Sequence, residues 1–228
     1  MILEQDSAVP DPDRMAVLVP FRDRRDDLDP LVVHLGRQLH RERIAYDLLV
    51  LEQAGDAAFN KGKLLNAGST LAPDHGWLCF HDVDMLPLAN SHYGRPQGPT
   101  RLCYAHSGNG PYSAITDEIL GGVFLIPTGD FKRINGFGNE FWGWGFEDND
   151  LSRRCRDAGL IIDFRPMFFR HLEHERQGSP HRAESDAIFR RGNTATDGLN
   201  SLSFEMIEEI PAAGYRHVLL DLGRPHGT

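Results

Sequence analysis

The sequence predicts an α/β fold built on a mixed, mostly parallel sheet. Short apolar runs over residues 15–20, 46–51 and 77–80 have the length and composition of buried strands. Segments with helical spacing of apolar residues separate them, over residues 30–43 and 61–71. An alternation of strand, helix, strand, helix and strand is typical of parallel α/β sheets, so we expect the first half of the chain to form one.

Capping residues predict where the two helices begin. Asp29 has a side chain preferred at an N-cap, and Pro30 suits the first helical position because it has no backbone N–H to satisfy. We therefore expect the first helix to begin at Pro30 and to end near Arg43. Asn60 is the expected cap of the second helix.

The second half of the chain continues with shorter elements. Further strands are predicted over residues 101–105, 122–126, 161–165 and 217–222, and a helix over residues 148–158. Residues 171–196 are polar and contain few apolar side chains, which predicts a long mobile loop. No linker or repeat divides the chain, so we expect a flexible N-terminus over residues 1–14 and one domain over residues 15–228.

Composition and charge argue against several classes of protein. The 228 residues are 40% hydrophobic and 25% charged, as in a soluble globular domain. A net charge of −9 argues against non-specific nucleic-acid binding, and no apolar run is long enough for a transmembrane segment. Three cysteines do not suggest a disulfide framework, and we expect Cys79 and Cys155 in the core. The acidic N-terminus resembles neither a signal nor a transit peptide, which favours a cytoplasmic location.

Residues 141–150 combine aromatic and acidic side chains in an unusual way. They contain Trp142, Trp144 and the three carboxylates Glu147, Asp148 and Asp150. Carboxylates resist burial while indole rings favour it, so packing alone rarely explains such a cluster. A sugar site uses both, because apolar sugar faces stack on aromatic rings and hydroxyls donate to carboxylates. One of these carboxylates could also act as a general base.

A second acidic motif, Asp82-Val83-Asp84, follows the third predicted strand. In open α/β sheets, ligands bind beyond the carboxyl ends of the strands. Two acids separated by one residue could place one carboxylate on a ribose and the other on Mg²⁺ or Mn²⁺. The alternative is a surface turn, and the motif alone does not decide between the two.

Two further motifs also have both a functional and a structural interpretation. Arg22 and Arg24 follow the first strand and could bind phosphate in bidentate geometry, although a solvated run of charges is the commoner explanation. His171 and His174 could offer two nitrogens to a metal, which would favour Mn²⁺ over Mg²⁺. In a chain with 11 histidines, a chance pair of solvated histidines is the simpler alternative.

The order of these motifs resembles the β-1,4-galactosyltransferases, glycosyltransferase family 7. The resemblance extends from about residue 18 to residue 202. The matching segments are Val19-Pro20-Phe21-Arg22-Asp23-Arg24, Gln53-Ala54-Gly55-Asp56, Phe59-Asn60-Lys61-Gly62-Lys63-Leu64-Leu65-Asn66, Asp82-Val83-Asp84, Gly121-Gly122-Val123, Ile134-Asn135-Gly136-Phe137, Trp142-Gly143-Trp144-Gly145-Phe146-Glu147-Asp148 and Asp197-Gly198-Leu199-Asn200-Ser201.

The resemblance implies a GT-A fold, which is a single Rossmann-like domain, with a mobile lid over about residues 169–192. Family members transfer a sugar from UDP with inversion, and Mn²⁺ bridges the diphosphate as a Lewis acid. The expected cofactor is therefore Mn²⁺. The expected partners are a UDP-galactose or UDP-GalNAc donor and a saccharide or glycoconjugate acceptor, joined by a β-1,4 linkage.

Roles for individual residues follow from their positions in the matching segments. Asp148 matches the catalytic base, and Glu147 and Trp144 are expected to hold the sugars. The implied metal ligands are Asp84, His171 and His174. The residues implied to bind the donor are Pro20, Phe21, Arg22, Arg24, Phe59, Lys61, Asp82, Val83, Ile119, Gly121, Gly122 and Trp144.

One departure from the family pattern concerns the metal. Vertebrate galactosyl members use Met-x-x-His, and one alignment places Phe168, which cannot ligate, on the Met. Shifting the alignment by three residues places His171 on the Met and His174 on the His. We prefer this alignment because it restores two ligands at the same spacing. Exchanging thioether sulfur for imidazole is expected to broaden metal tolerance.

Two other departures concern the substrates. Ile119 stands where vertebrate galactosyl members carry Tyr, and members with Ile or Leu there accept UDP-GalNAc; the alternative is that Ile119 fills space in a galactosyl site. The family's apolar pocket for an acceptor N-acetyl group aligns with Ala183, Glu184 and Ala187, which are not expected to form one. We therefore expect an acceptor other than GlcNAc, such as xylose, glucose or another plain sugar.

Two alternative functions remain open at this point. One is a polysaccharide-extending transferase that uses another UDP-sugar. The other is a non-catalytic sugar-binding protein that has kept the fold. The presence of Glu147, Asp148 and Asp84 together argues against the second, because a binding protein needs no base beside a metal site.

Overall fold

The computed structural model describes residues 11–88, 92–107, 110–111, 119–172, 181–192 and 194–225, which form a ten-stranded mixed sheet with helices. The strands are β1 (Asp11–Phe21), β2 (Ala45–Gln53), β3 (His75–His81), β4 (Met85–Pro87), β5 (Thr100–Ser107), β6 (Gly110–Pro111), β7 (Val123–Pro127), β8 (Asp163–His171), β9 (Glu205–Ala212) and β10 (Tyr215–Asp221). The helices are α1 (Arg25–Glu42), α2 (Lys61–Thr70), α3 (Thr128–Arg133), α4 (Glu147–Asp157) and α5 (Arg182–Arg191), with a 3-10 turn at Leu199–Ser201.

The centre of the sheet is parallel, as predicted. The strand order is β4-β8-β5-β7-β3-β1-β2-β10-β9, with β6 paired to β5. β1 lies parallel to both β2 and β3, and β10 is parallel to β2. Antiparallel pairs flank this centre, β7 beside β3 and β9 beside β10. The carboxyl ends of β1, β2 and β3 therefore share one edge of the sheet, where ligands bind in open α/β folds.

The core lies on both faces of the sheet, and β1 shows why its apolar run is continuous. Met15 and Val17 point to the face covered by α1, whereas Ala16 and Leu18 point to the face covered by α2, α3 and α4. A strand buried on both faces reads as an unbroken apolar run, which is how this strand was predicted. Cys79 and Cys155 are free and fully buried, which confirms that expectation.

The first helix begins earlier than predicted. Helix α1 starts at Arg25, and Pro30 lies inside it instead of at its first position. The added turn buries Leu28 completely and places Asp26 and Asp27 at the positive end of the helix dipole. These gains offset the helical hydrogen bond that Pro30 cannot donate. Strand β1 likewise begins at Asp11, four residues before the predicted domain boundary.

The predicted loop over residues 171–196 contains regular structure. Strand β8 covers Asp163–His171, beyond the predicted 161–165, because Met167 and Phe169 bury their side chains in the core. Helix α5 then occupies Arg182–Arg191, with Ser185 and Ile188 on its buried side. Residues 173–180 and 193, which belonged to the same prediction, lie outside the described part of the chain.

Candidate active site

The first wall of the site is built where β1 and β2 end. Arg22 follows β1, and its Nη1 donates to the carbonyl of Ala57 at 2.7 Å while its guanidinium carbon lies 5.2 Å from the centre of the Phe59 ring. The side chain of Gln53, at the end of β2, holds the same loop by donating to Ala58 and accepting from the Asn60 N–H at 2.7 Å. A cation beside an aromatic face is suited to a nucleotide, with the ring for the base and the guanidinium for phosphate.

Two other residues predicted for this wall belong to the core. Pro20 is buried in β1 and Phe21 is only 5% exposed, with its ring against His217. Val83, in the acidic motif, is also buried. These buried side chains anchor the ends of β1 and β3 in the core, and the neighbouring polar groups face the site.

The ammonium of Lys61 lies between two carboxylates of the site, those of Asp82 and Asp148. Asn60 caps α2 by accepting from the Lys63 N–H at 2.9 Å, and this places Lys61 at the first helical position. The Nζ of Lys61 lies 3.0 Å from Asp82 Oδ1 and 3.3 Å from Asp148 Oδ2. Asp82 follows β3 and Asp148 belongs to the first turn of α4, so the cation joins two distant parts of the chain.

This arrangement shifts the pKa values of Asp148 and Lys61. Removal from water raises the pKa of Asp148 to about 8 from its ordinary 3.8; the charges of Glu147 and Asp82 add to this effect and Lys61 opposes it. Burial by itself disfavours the Lys61 ammonium, but Asp148, Asp82 and Glu147 outweigh burial and raise the pKa of Lys61 well above 10.5. A carboxylate whose proton affinity lies near neutral pH is suited to general base catalysis.

The segment around Gly121 approaches the carboxylate of Asp148 closely. A Cβ at Gly121 would lie 2.8 Å from Asp148 Oδ2, so any side chain there would collide with the carboxylate. Gly122 has a φ of +72°, which favours glycine, and its carbonyl accepts from the Asp82 N–H at 2.9 Å. The partly buried Ile119 lies two residues before Gly121. The predicted donor-binding segment, the predicted base and the acidic motif are therefore brought together.

Asp84 and His171 meet on the other side of the acidic motif. The antiparallel pairing of β4 and β8 sets Met85 opposite His171, and the Leu172 N–H donates to the Asp84 carbonyl at 2.8 Å. His171 Nε2 consequently lies 3.5 Å from Asp84 Oδ2, which Arg24 Nη1 also contacts at 3.2 Å.

The ligand atoms beside Asp84 are of the kinds that suit Mn²⁺, but the described residues supply too few of them for a complete metal site. Carboxylate oxygen and imidazole nitrogen together suit this ion. His174, the third predicted ligand, lies outside the described residues. Within the described ranges no cluster of three His, Cys, Asp or Glu side chains is placed to hold a metal. Phe168, which the other alignment places on the metal-binding Met, is about half exposed, and its backbone carbonyl accepts from the Leu88 N–H.

Trp144 forms the outer wall. It is 63% exposed, and the guanidinium of Arg182, at the start of α5, lies 4.7 Å from its ring centre. The ring of Phe146 stacks on Phe189 of the same helix at 5.5 Å. An exposed indole beside a carboxylate cluster is suited to stacking on a sugar ring. The side chains of Ala183, Glu184 and Ala187 are all exposed on α5.

Sequence reasoning missed the polar residues that support the site. Asn139 donates to the Gly198 carbonyl and accepts, through its own carbonyl, from the side chain of Asn60 at 2.7 Å. Its backbone N–H donates to the carboxylate of Asp197 at 2.9 Å. A lone asparagine between glycine-rich segments carries no periodic signal, and only the fold brings these partners together.

Comparison with known proteins identifies the family. The model for the N-terminal region of glycosyl transferase group 7 matches residues 7–94, and a second model, described as the N-terminal domain of galactosyltransferase, matches residues 106–176. The chain belongs to glycosyltransferase family 7. It is 36% identical over 223 residues to β-1,4-galactosyltransferase 3 of Bos taurus and of Homo sapiens, which covers 92% of this chain and 56% of each relative. The family 7 chain thus spans about half the length of the curated relatives it matches.

Solved structures place this family 7 chain in the GT-A fold. The catalytic domain of Drosophila β-1,4-galactosyltransferase 7 in complex with xylobiose superposes with a TM-score of 0.83 at 28% identity, covering 92% of this chain and 94% of that one. A mutant of the Drosophila enzyme in complex with manganese, UDP-Gal and xylobiose gives 0.80 at 27% identity, with the same coverage. GalNAc-T7 with UDP, GalNAc and Mn²⁺ gives 0.59 at 12% identity, covering 82% and 48%, a likeness of fold alone.

The described part of the chain has no helix that is both long and apolar enough to cross a membrane.

Proposed function

We propose that this chain is a metal-dependent, inverting glycosyltransferase that moves galactose or N-acetylgalactosamine from its UDP-sugar to a sugar hydroxyl through a β-1,4 linkage. The observation that carries the proposal is the position of Asp148. Its carboxylate lies at the carboxyl edge of the parallel strands, against Gly121 and 3.3 Å from Lys61, with a pKa raised to about 8. Family membership and the UDP-Gal and xylobiose bound to the Drosophila relative support the substrate classes.

The nucleotide half of the donor fits the wall made by β1 and β2. The Phe59 ring offers an apolar face for the uracil, and Arg22, held against the Ala57 carbonyl, presents its guanidinium beside that ring. Asp82 and Asp84 continue this wall toward the diphosphate. A bound Mn²⁺, held by Asp84 and His171, would supply Lewis-acid stabilisation of the departing diphosphate.

The acceptor side is formed by Trp144 and the acidic start of α4. The exposed indole can stack on the apolar face of a sugar, and the side chain of Glu147, which is 9% exposed, can accept from a hydroxyl. Asp148 removes the proton of the attacking hydroxyl. The new C–O bond forms at the anomeric carbon as its bond to the diphosphate oxygen breaks, and UDP leaves with the electron pair. Attack opposite the leaving group inverts the configuration at that carbon.

The donor and the acceptor each have a narrower proposal. Ile119, two residues before the close approach at Gly121, leaves more room than Tyr would, which supports use of UDP-GalNAc as well as UDP-Gal. The exposed Ala183, Glu184 and Ala187 supply no apolar pocket in the described structure for an acceptor N-acetyl group. We therefore expect a plain acceptor sugar such as xylose or glucose.

The test is turnover of UDP-Gal and UDP-GalNAc, each with Mn²⁺ or with EDTA, against glycosides of xylose, glucose and GlcNAc. UDP release that depends on both Mn²⁺ and acceptor is the expected result. Turnover with some other UDP-sugar alone would indicate the polysaccharide-extending alternative. UDP binding without turnover of any donor would indicate a binding protein and contradict the proposal.

A further inference from the structure

A buried hydroxyl connects the predicted base to the donor-side segment. Ser152 lies one turn after Asp148 in α4 and is 1% exposed. Its Oγ donates to the Asp148 carbonyl at 2.8 Å and accepts from the Leu120 N–H, also at 2.8 Å. A single oxygen atom thus joins the helix that carries the base to the segment that contains Gly121.

A back-bonded serine inside a helix usually needs no second partner. Its donation to the carbonyl four residues earlier is a common and slightly destabilising arrangement. Here the same oxygen also satisfies a backbone N–H in the fully buried Leu120, which has no access to water. One bond joins the hydroxyl to Asp148 in α4 and the other joins it to Leu120. The hydroxyl therefore fixes the distance between α4 and the segment that contains Leu120.

The groups on either side of this bridge are those of the active site. Leu120 is followed by Gly121, where an added Cβ would lie 2.8 Å from Asp148 Oδ2, and by Gly122, whose carbonyl accepts from the Asp82 N–H at 2.9 Å. A small change in the distance between α4 and this segment would therefore move the base relative to the surface that faces the donor sugar.

We propose that Ser152 is a positioning residue that holds Asp148 at its working distance from the donor sugar. The inference rests on the proposed function. Ser152 does not touch the substrates and transfers no proton; it acts through the backbone of Asp148 and Leu120. Displacement of a reacting group by about 1 Å can cost on the order of 100-fold in rate.

The experiment compares Ser152→Ala with a matched serine elsewhere. Ser69 is also nearly buried in a helix, and its Oγ donates to the Asn66 carbonyl at 2.7 Å, but it lies in the last turn of α2, away from Asp148. We expect Ser152→Ala to lower kcat for transfer by roughly 10- to 100-fold while the Kd for UDP with Mn²⁺ changes less than about twofold. Ser69→Ala should leave kcat within about twofold of the wild type.

Ser152→Cys extends the test if the alanine variant does not fold. It keeps the shape of the side chain, with a larger sulfur atom in place of oxygen, and it replaces the hydroxyl by a weakly hydrogen-bonding thiol, so a loss of kcat is again expected. Equal kcat values for the Ser152 and Ser69 variants would overturn the inference. So would a fall in UDP-binding stoichiometry that accounts for the whole loss of rate, because the hydroxyl would then support the fold rather than the base.

The same assay separates this inference from the proposed function. Absence of transfer by the wild-type chain with every donor would overturn the proposed function and this inference with it. Transfer by the wild type together with an undiminished kcat in Ser152→Ala would overturn this inference alone.

Discussion

The ammonium of Lys61 lies 3.3 Å from Asp148 Oδ2, which places a cation directly beside the predicted base. Lys61 also contacts Asp82 at 3.0 Å, and one cation therefore balances carboxylates from the end of β3 and from the start of α4. Even with this partner, burial and the neighbouring acids raise the pKa of Asp148 to about 8. The ionisation of the base thus depends on Lys61 and Glu147, and this dependence can be measured.

Removing the base should abolish transfer without abolishing donor binding. Asp148→Asn keeps the shape of the side chain but cannot accept a proton at neutral pH, so we expect kcat to fall by about 100- to 10,000-fold. The Kd for UDP, measured by calorimetry with Mn²⁺, should change little. Asp186→Asn is the control, because Asp186 pairs with Arg190 on the outer helix α5. Persistence of transfer in Asp148→Asn would remove Asp148 as the base.

The titration of Asp148 should move in opposite directions when its two neighbours are neutralised. Glu147→Gln removes a like charge and should lower the pKa of Asp148 from about 8, whereas Lys61→Met removes the opposing charge and should raise it. The measurement is carbon-13 NMR of labelled aspartate in the metal-free protein, with Asp148→Asn to assign the signal. Shifts in the same direction for the two variants would be inconsistent with this electrostatic account.

The raised pKa of Asp148 makes the stability of the folded protein depend on pH. The folded protein binds this proton more tightly than the unfolded chain, whose carboxyl titrates near 3.8. The contribution to stability is therefore fully present below pH 3.8 and is lost as the pH rises through about 8. Asp148→Asn, which cannot ionise, should gain Tm relative to the wild type between pH 5 and pH 8.5. A difference in Tm that does not change over this range would contradict the assignment.

A methyl group at Gly121 should displace the base. The added Cβ would lie 2.8 Å from Asp148 Oδ2, so either the carboxylate or the segment must move. We expect Gly121→Ala to lower kcat by at least about tenfold, since misplacement on the order of 1 Å costs more than that. Gly129→Ala is the matched control, because a Cβ there meets nothing within 4 Å. Equal activity of the two variants would show that this close approach is unimportant.

Filling the space beside Ile119 should change the choice of donor. Ile119→Tyr is expected to reduce kcat/KM for UDP-GalNAc by at least about tenfold relative to UDP-Gal, because an N-acetyl group adds bulk that a pocket can reject. Ile161→Tyr makes the same substitution at a position that is 86% exposed and should leave the ratio unchanged. An unaltered ratio in Ile119→Tyr would mean that this side chain does not face the 2-position of the donor.

The sequence predicts the parallel centre of the sheet and most of the residues gathered at its edge, but not how they meet. Lys61, Asp82 and Asp148 were each predicted for the site, yet the ion pairs between them depend on how α2, β3 and α4 pack. The bridge through Ser152 had no signal at all, because a serine in an amphipathic helix is unremarkable until its partner Leu120 is brought beside it by the fold.

The elements that were missed are stabilised by tertiary contacts. Helix α5 has a weak apolar stripe, and part of its docking comes from Phe189 stacking on Phe146, 43 positions earlier in the chain. Strand β9, at an edge of the sheet, was not predicted because it is exposed on both faces. The adjacent side chains of Met206 and Ile207 point to opposite faces and are each about half exposed, so no alternation of apolar and polar side chains marks the strand.

His171 is an implied metal ligand in both alignments of the metal-binding segment, on the His of Met-x-x-His in one and on the Met in the other. His171 Nε2 lies 3.5 Å from Asp84 Oδ2, whereas the Phe168 side chain is half exposed three residues earlier on the same strand. His171→Ala and Asp84→Asn should each weaken Mn²⁺ binding beyond the roughly 10- to 100-fold that loss of a supporting partner costs. Phe168→Ala is the matched control on β8 and should leave Mn²⁺ affinity unchanged.

Direct titration of Mn²⁺, followed by electron paramagnetic resonance with and without UDP, measures this binding independently of turnover. Full affinity in His171→Ala would contradict both alignments and would make His171 a solvated partner of Asp84. Loss of affinity in His174→Ala is expected only from the alignment that places His171 on the Met and His174 on the His. Full affinity in Asp84→Asn would remove the acidic motif from the metal site. The wild-type geometry predicts loss of affinity in both His171→Ala and Asp84→Asn, because the β4–β8 pairing fixes the imidazole beside the carboxylate.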